Sequence, residues 1–198
     1  KDLVEVNGKA VRPVESKIIL AYNKPVGVTC TEKDVHAAKT IHQALRYPTR
    51  LTYAGRLDRD SEGLLIMTND GDLIQRMMKG SAGHEKEYIV KVNKTVTQEF
   101  LNGMSQGVYL KELDTTTRPC KLEMKGKYTF HIVLTQGLNR QIRRMCQYFG
   151  YEVISLRRIR VLNIELGNLA SNQYRELTEE ERTRLYELCG MRQPHRNS

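Results

Sequence analysis

Hydrophobic and polar positions change period several times along this chain, and each change marks an element. Ile18-Ile19-Leu20-Ala21-Tyr22 and Leu64-Leu65-Ile66-Met67-Thr68 are short, almost unbroken apolar runs, as expected of buried strands. The first closes at Asn23-Lys24-Pro25-Val26-Gly27. The second closes at Asn69-Asp70-Gly71, which leads into a helix through about Met78. Glu87 to Val92 alternates, with Tyr88, Val90 and Val92 on one side and Glu87, Ile89 and Lys91 on the other. Thr97 is the N-cap of a helix reaching Met104, and a shorter helix over Thr40 to Arg46 must end before Pro48. Lys121-Met124 and Tyr128-Thr135 predict a hairpin about Lys125-Gly126-Lys127. The clearest helix is Asn139 to Phe149, with Asn139 as N-cap, Ile142, Met145, Cys146 and Phe149 as its apolar stripe, and Gly150 as its stop. Val153-Leu156 and Ile159-Leu166 predict two strands. Thr178 and Glu181 form a capping box for a last helix, and Gln193 to Ser198 a loose tail. The first 15 residues contain an alternating segment, a turn at Asn7-Gly8 and a linker through Pro13. Hairpin-like pairs outnumber any regular βαβα alternation, so the expected fold is an antiparallel α+β domain rather than a doubly wound sheet.

Charge sharpens this picture. The chain of 198 residues carries a net charge of +9, a balance suited to an acidic partner such as nucleic acid. The excess is local: between Leu138 and Arg160 stand six arginines (140, 143, 144, 157, 158 and 160) and one acid, Glu152. Arginine suits phosphate contacts because its planar fork donates two parallel hydrogen bonds. No run of 18 apolar residues exists, so no membrane span is implied. Cys30, Cys120, Cys146 and Cys189 lie far apart and form no CxxC pattern. Reduced thiols in a cytoplasmic protein are therefore expected rather than a structural metal site. The chain opens at Lys1 rather than methionine, and an upstream piece is expected.

Four segments carry candidate chemistry. Gly55-Arg56-Leu57-Asp58-Arg59-Asp60-Ser61-Glu62-Gly63 is a glycine-bounded polar loop that sets an acid between two arginines and runs straight into the apolar strand. A calcium loop of the EF-hand type would need glutamate at its twelfth position, where Asn69 stands. A solvated loop is the plainer alternative. Flanking arginines would keep Asp58 ionised, as a nucleophilic carboxylate must be. At about 100° per residue, Arg140 and Arg144 lie opposite the stripe centred on Ile142, facing solvent or a phosphate backbone. Arg143 lies at the stripe's border, where it needs a carboxylate, and Asp58 is the best candidate. The alternative for all three is a solvated basic face. Tyr88 shares a side with Val90 and Val92, so its ring points inward as core or as a functional group. Lys24 sits in a tight turn, where a solvated side chain is the simpler reading.

Taken in order, these four segments resemble the successive motifs of the pseudouridine synthases of the ribosomal small-subunit enzyme A type. The segments are the Asn-Lys-Pro-x-Gly-Val turn, the Gly-Arg-Leu-Asp-x-x-x-x-Gly-Leu-Leu loop, the Lys86-Glu87-Tyr88 strand and the Asn-Arg-Gln-Ile-Arg-Arg-Met helix. The resemblance implies the α+β pseudouridine synthase fold, a mixed, mainly antiparallel central sheet flanked by helices with an active-site cleft across the sheet, and an isomerase that converts uridine to pseudouridine in RNA. Under it Asp58 is the nucleophile, Tyr88 stacks on the target uracil and is a candidate base, Arg143 pairs with Asp58, and Leu156 lines the pocket. Lys24, Arg56, Asn139, Arg140, Gln141, Arg144, Arg157 and Arg158 are then expected to contact RNA. The implied partner is ribosomal RNA of the 23S type, with a transfer RNA stem-loop as a further substrate. No cofactor and no metal are implied, and a cytoplasmic monomer is expected. Residues 1–15 would be the end of an S4-like RNA-binding domain and its linker, and residues 16–198 the catalytic domain, loose from about residue 191. A non-catalytic RNA-binding module would explain the charge but leave Asp58 without a role. A metal-dependent nuclease would use Asp58, Asp60 and Glu62.

Overall fold

A computed structural model describes residues 4–6, 9–11, 16–30 and 39–194. The expected turn at Asn7-Gly8, the linker at Pro13 and the last four residues of the tail lie outside them. In chain order the elements are a small hairpin, β1 (Val4–Val6) and β2 (Lys9–Val11), then β3 (Ile19–Lys24), β4 (Val28–Thr29), β5 (Lys39–Thr40), α1 (Ile41–Leu45), β6 (Thr52–Ala54), β7 (Glu62–Thr68) and α2 (Gly71–Met77). They continue with β8 (Lys86–Val92), α3 (Gln98–Ser105), β9 (Tyr109–Leu110), β10 (Thr115–Thr116), β11 (Lys121–Gly126), β12 (Thr129–Leu134), α4 (Gln141–Tyr148), β13 (Val153–Val161), β14 (Ile164–Glu165), β15 (Tyr174–Glu176) and α5 (Glu179–Leu188).

The central sheet runs β11-β12-β8-β13-β7-β3-β15, with β14 on β13 and β6 on β7. All of its pairs are antiparallel except one: β13 and β7 run parallel through two residue pairs, Arg157 with Glu62 and Arg158 with Gly63. That seam divides the sheet into two wings. On one wing, Ile19, Ala21, Leu64 and Ile66 pack with Leu73 of α2 and Leu185 and Tyr186 of α5. The alternate residues of the same two strands, Leu20, Tyr22, Leu65 and Met67, pack with Ile41 and Leu45 of α1 and with Leu57. Burial on both faces explains why β7 reads as one apolar run. On the other wing Val90, Phe130 and Ile132 pack against Phe100 and Met104 of α3 and Ile142 and Met145 of α4.

Local rules account for most boundaries. Asp70 caps α2 through Leu73 N, Thr97 caps α3 through Phe100 N, and Thr178 with Glu181 closes a capping box on α5. A second capping box, Thr40 with Gln43, starts α1. Each such cap stabilises its helix by about 1 kcal/mol.

Three expectations are corrected, and two strands went unanticipated. The helix expected to start at Asn139 begins at Gln141. Its N-cap is Arg140, at φ 50°, while Asn139 spends its side chain accepting from Arg144 Nη2 (2.7 Å). The two strands expected between Val153 and Leu166 are one continuous strand, β13, that turns back as β14, because Arg157 and Arg158 alternate between faces instead of breaking the run. Strands β6 and β15 carry no apolar alternation and join the sheet through backbone pairing with β7 and β3. Gln193, assigned to the tail, accepts from Arg182 Nε (3.1 Å) and donates to Glu179.

Candidate active site

The seam between the wings places the polar loop. Gly63 faces Arg158 across it at φ +112°, and a Cβ there would collide with the Arg158 carbonyl oxygen, so only glycine lets the strands meet. Upstream, Leu57 is buried among the residues against α1, and the Ser61 N–H donates to the Asp58 carbonyl (3.0 Å), closing the loop into a turn. The Asn23–Val28 turn braces it from the side, with Gly27 N–H donating to the Arg59 carbonyl (2.8 Å).

Asp58, with its side chain 38% exposed, borders a cleft of about 640 Å³ together with Tyr88, Leu156, Arg56, Asn139, Arg140 and Arg158. Tyr88 lies directly across from Arg158 on β13 and from Ile132 on β12, and its ring packs on both wings. Its hydroxyl has no hydrogen-bond partner among the described residues. The cleft therefore joins an acid, an aromatic face with a free hydroxyl, an apolar wall at Leu156 and several cations.

The arginines of α4 meet this loop in an order the sequence did not reveal. Arg140 binds Asp60 through two hydrogen bonds (3.0 and 2.8 Å) and approaches Asp58 Oδ2 at 3.5 Å. Arg143 turns inward as its position on the helix predicts, but to the Asp60 carbonyl (3.0 Å), Ser61 Oγ (3.2 Å) and the Asp60 carboxylate (3.4 Å), not to Asp58. The turn at Asp58–Ser61 is the reason: it presents Asp60 and Ser61 to the helix and leaves Asp58 facing the cleft. The Arg140 hydrogen bonds hold the Asp60 carboxyl below its usual range, and Asp60 in return raises Arg140. Among the described residues no three His, Cys, Asp or Glu side chains gather as metal ligands. Asp60 and Glu62, which a metal site would enlist with Asp58, are directed to Arg140 and Arg157.

Three residues expected to reach RNA from the surface are interior. Lys24 is fully buried, its Nζ donating to the Pro25 and Val28 carbonyls (both 2.8 Å). Burial, partly offset by Cys30 and Asp58, lowers it to about 8. Arg158 is 2% exposed and donates to the Leu64 (2.9 Å) and Arg56 (3.4 Å) carbonyls. Gln141 is buried and accepts from Leu138 N–H (3.3 Å). These three fasten the loops around the cleft. Arg56 is exposed at its rim, Arg144 is held by Asn139, and Arg157 pairs on the surface with Glu62 (3.1 Å). Asp60 and Ser61 were not anticipated as partners. Lys86, quoted in the Lys86-Glu87-Tyr88 motif but given no role, lies by strand alternation on the same side as Tyr88 and also borders the cleft.

A family model described as RNA pseudouridylate synthase matches residues 18–148. The chain is 42% identical over 189 residues to the dual-specificity RNA pseudouridine synthase RluF of Escherichia coli (strain K12), covering 94% of this chain and 64% of that protein. It thus spans about 64% of the length of the RluF proteins it matches. It is 37% identical over 193 residues to ribosomal large subunit pseudouridine synthase B of Bacillus subtilis, covering 95% and 79%. A crystal structure of a pseudouridylate synthase superposes with a TM-score of 0.80 at 30% identity, covering 90% of this chain and 76% of that one.

Proposed function

The chain belongs to the RNA pseudouridylate synthase family, and from that membership we propose that it isomerises uridine to pseudouridine at chosen positions in structured RNA. In this reaction the N1–C1′ bond breaks and a C5–C1′ bond forms. N1 gains a proton and C5 loses one, so nothing is oxidised and no group is transferred to a second molecule. The chemistry needs no redox cofactor. A stacked base cannot turn over in place, so the uridine must be flipped out, at a cost of a few kcal/mol.

One observation carries the reading: Asp58 and Tyr88 border the same cleft, with the acid beside the Arg140 guanidinium. Tyr88 offers a ring on which the extruded uracil stacks, and Leu156 an apolar wall beside it. Asp58 supplies the carboxylate, and three routes suit it: attack at C1′, addition at C6, or help in elimination to a glycal with Tyr88 taking the 2′ proton. Arg143 acts at one remove, holding Asp60 and Ser61 so that the Asp58 turn keeps its shape. Arg56, Arg140, Arg144 and Arg157 are the candidates for phosphate contact, and Asn139 supports them. Lys24, Gln141 and Arg158 serve the same RNA from inside, as fasteners of the cleft walls.

The proposed substrates are 23S ribosomal RNA and a transfer RNA stem-loop, in the cytoplasm, with the chain acting as a monomer. In the proposed layout residues 1–15 end an S4-like RNA-binding domain, residues 16–198 do the chemistry, and the upstream domain contributes to target choice. Asp58→Ala is expected to abolish pseudouridine formation while RNA binding persists. Product formation by that variant would refute the mechanism. Mapping pseudouridines in total RNA from cells with and without the protein identifies the target.

A further inference from the structure

Lys86 stands where a lysine has no local reason to be. Its neighbours in sequence, Glu85 and Glu87, are both drawn to Arg160, at 3.1 Å each, and Glu87 also meets His131 at 3.3 Å. Alternation along β8 puts Glu87 on the face opposite Lys86 and Tyr88. The Lys86 side chain is therefore left in the cleft wall, half-buried, its ammonium making no hydrogen bond or ion pair among the described residues. Arg158, buried beside it, spends Nε and Nη1 on carbonyls, while its Nη2 is buried without a partner. Burial and the Arg158 charge together push the Lys86 ammonium below its usual range. Among the described residues around the cleft, Arg56, Lys79, Lys86, Arg118, Arg140 and Arg158 face a single acid, Asp58. Arg118 is spent on the Thr135 and Gly80 carbonyls and Arg140 on Asp60. Two adjacent, partly desolvated cations with no carboxylate between them cost stability unless an anion arrives.

We propose that Lys86 binds the 5′ phosphate of the flipped nucleotide, with Arg158 strengthening that contact from behind through its field. The assignment rests on the reading of Tyr88 as the uracil platform. Residues i and i+2 on one face of a strand lie roughly 7 Å apart, a spacing that suits a nucleobase and its own 5′ phosphate. A positive field in a partly dry cleft holds a phosphate more firmly than the same charges do in open water.

The test measures uridine, uridine 5′-monophosphate and inorganic phosphate as competitors of a bound stem-loop RNA, on the whole chain and on Lys86→Met and Lys86→Arg. The unaltered chain is expected to prefer the monophosphate over uridine by about tenfold. Lys86→Met loses that preference, and Lys86→Arg keeps most of it. With RNA, Lys86→Met raises KM more than it lowers kcat. The same preference in Lys86→Met as in the unaltered chain overturns the proposal. Inorganic phosphate competing as well as the monophosphate overturns it too, since the site would then be a free-anion site. Thermal unfolding checks the fold: deleting an unpartnered charge is expected to leave the melting temperature unchanged or raised. If Lys86→Met is instead poorly folded, Lys86→Arg decides, its preference kept or lost. Ligand preference is read without turnover, so absence of pseudouridine formation in the unaltered chain would refute the proposed function and not this measurement.

Discussion

Arg140 grips Asp60 with two nearly parallel hydrogen bonds and, from the same guanidinium, reaches Asp58 at 3.5 Å. The carboxylate that faces the cleft is thus steadied by a cation whose position a second carboxylate fixes. Asp60→Asn keeps the side chain's shape and removes its charge, so turnover is expected to fall about tenfold, the price of one lost charge-assisted hydrogen bond. The pair is half-exposed, so stability changes by less than about 1 kcal/mol. Asp60 is more acidic folded than unfolded. Its stabilising contribution is therefore present above the unfolded carboxylate range near pH 4 and disappears as pH falls through the lower folded value. Acid titration of the melting temperature is expected to show a shallower fall in the variant.

Lys24 has a dependence of the same sign in a more alkaline window. Buried, it titrates at about 8 in the folded chain, against about 10.4 when unfolded. Between those values the unfolded chain holds the extra proton, so stability rises with pH through that window. Lys24→Met orphans the Pro25 and Val28 carbonyls, which is expected to cost about 1–3 kcal/mol. The gap between the unaltered chain and the variant is expected to widen from pH 8 to 10, as read by urea unfolding at each pH.

Gly63→Ala tests the seam. Positive φ and the clash with the Arg158 carbonyl act together, and a loss of roughly 3 kcal/mol is expected in denaturant unfolding. Turnover should fall with it, because the displaced strand begins one residue after Ser61 and two after Asp60.

Tyr88→Phe keeps the ring and deletes the hydroxyl. If the hydroxyl moves the 2′ proton, turnover falls by about a hundredfold or more while RNA affinity is retained. Tyr88→Ala is expected to lose both. Single-turnover kinetics at saturating RNA separate the two variants.

Much of this was legible in the residues. The unbroken apolar run at Leu64–Met67 announced a buried strand, and Thr97 and Thr178 announced helix starts, because these signals act over one turn or one pleat. The inward lean of Arg143 followed from helical period alone, and its side chain is 12% exposed. Its partner did not follow, since a four-residue turn decides whether Asp58 or Asp60 meets the helix. Lys24 and Arg158 looked like surface charges because the groups that accept from them are backbone carbonyls, which every sequence contains and no pattern marks. The edge strand Tyr174–Glu176 was silent for a related reason: it is held by main-chain pairing while its side chains stay largely in solvent.

The parallel junction has a mechanical corollary. Six residue pairs tie β3 to β7 and another six tie β12 to β8, whereas two tie β7 to β13. The line of fewest rungs across the sheet runs directly beneath the loop that carries Asp58. Flexing of one wing against the other would bend the sheet along that line, so the mouth of the cleft and the pivot that would widen it are the same few residues.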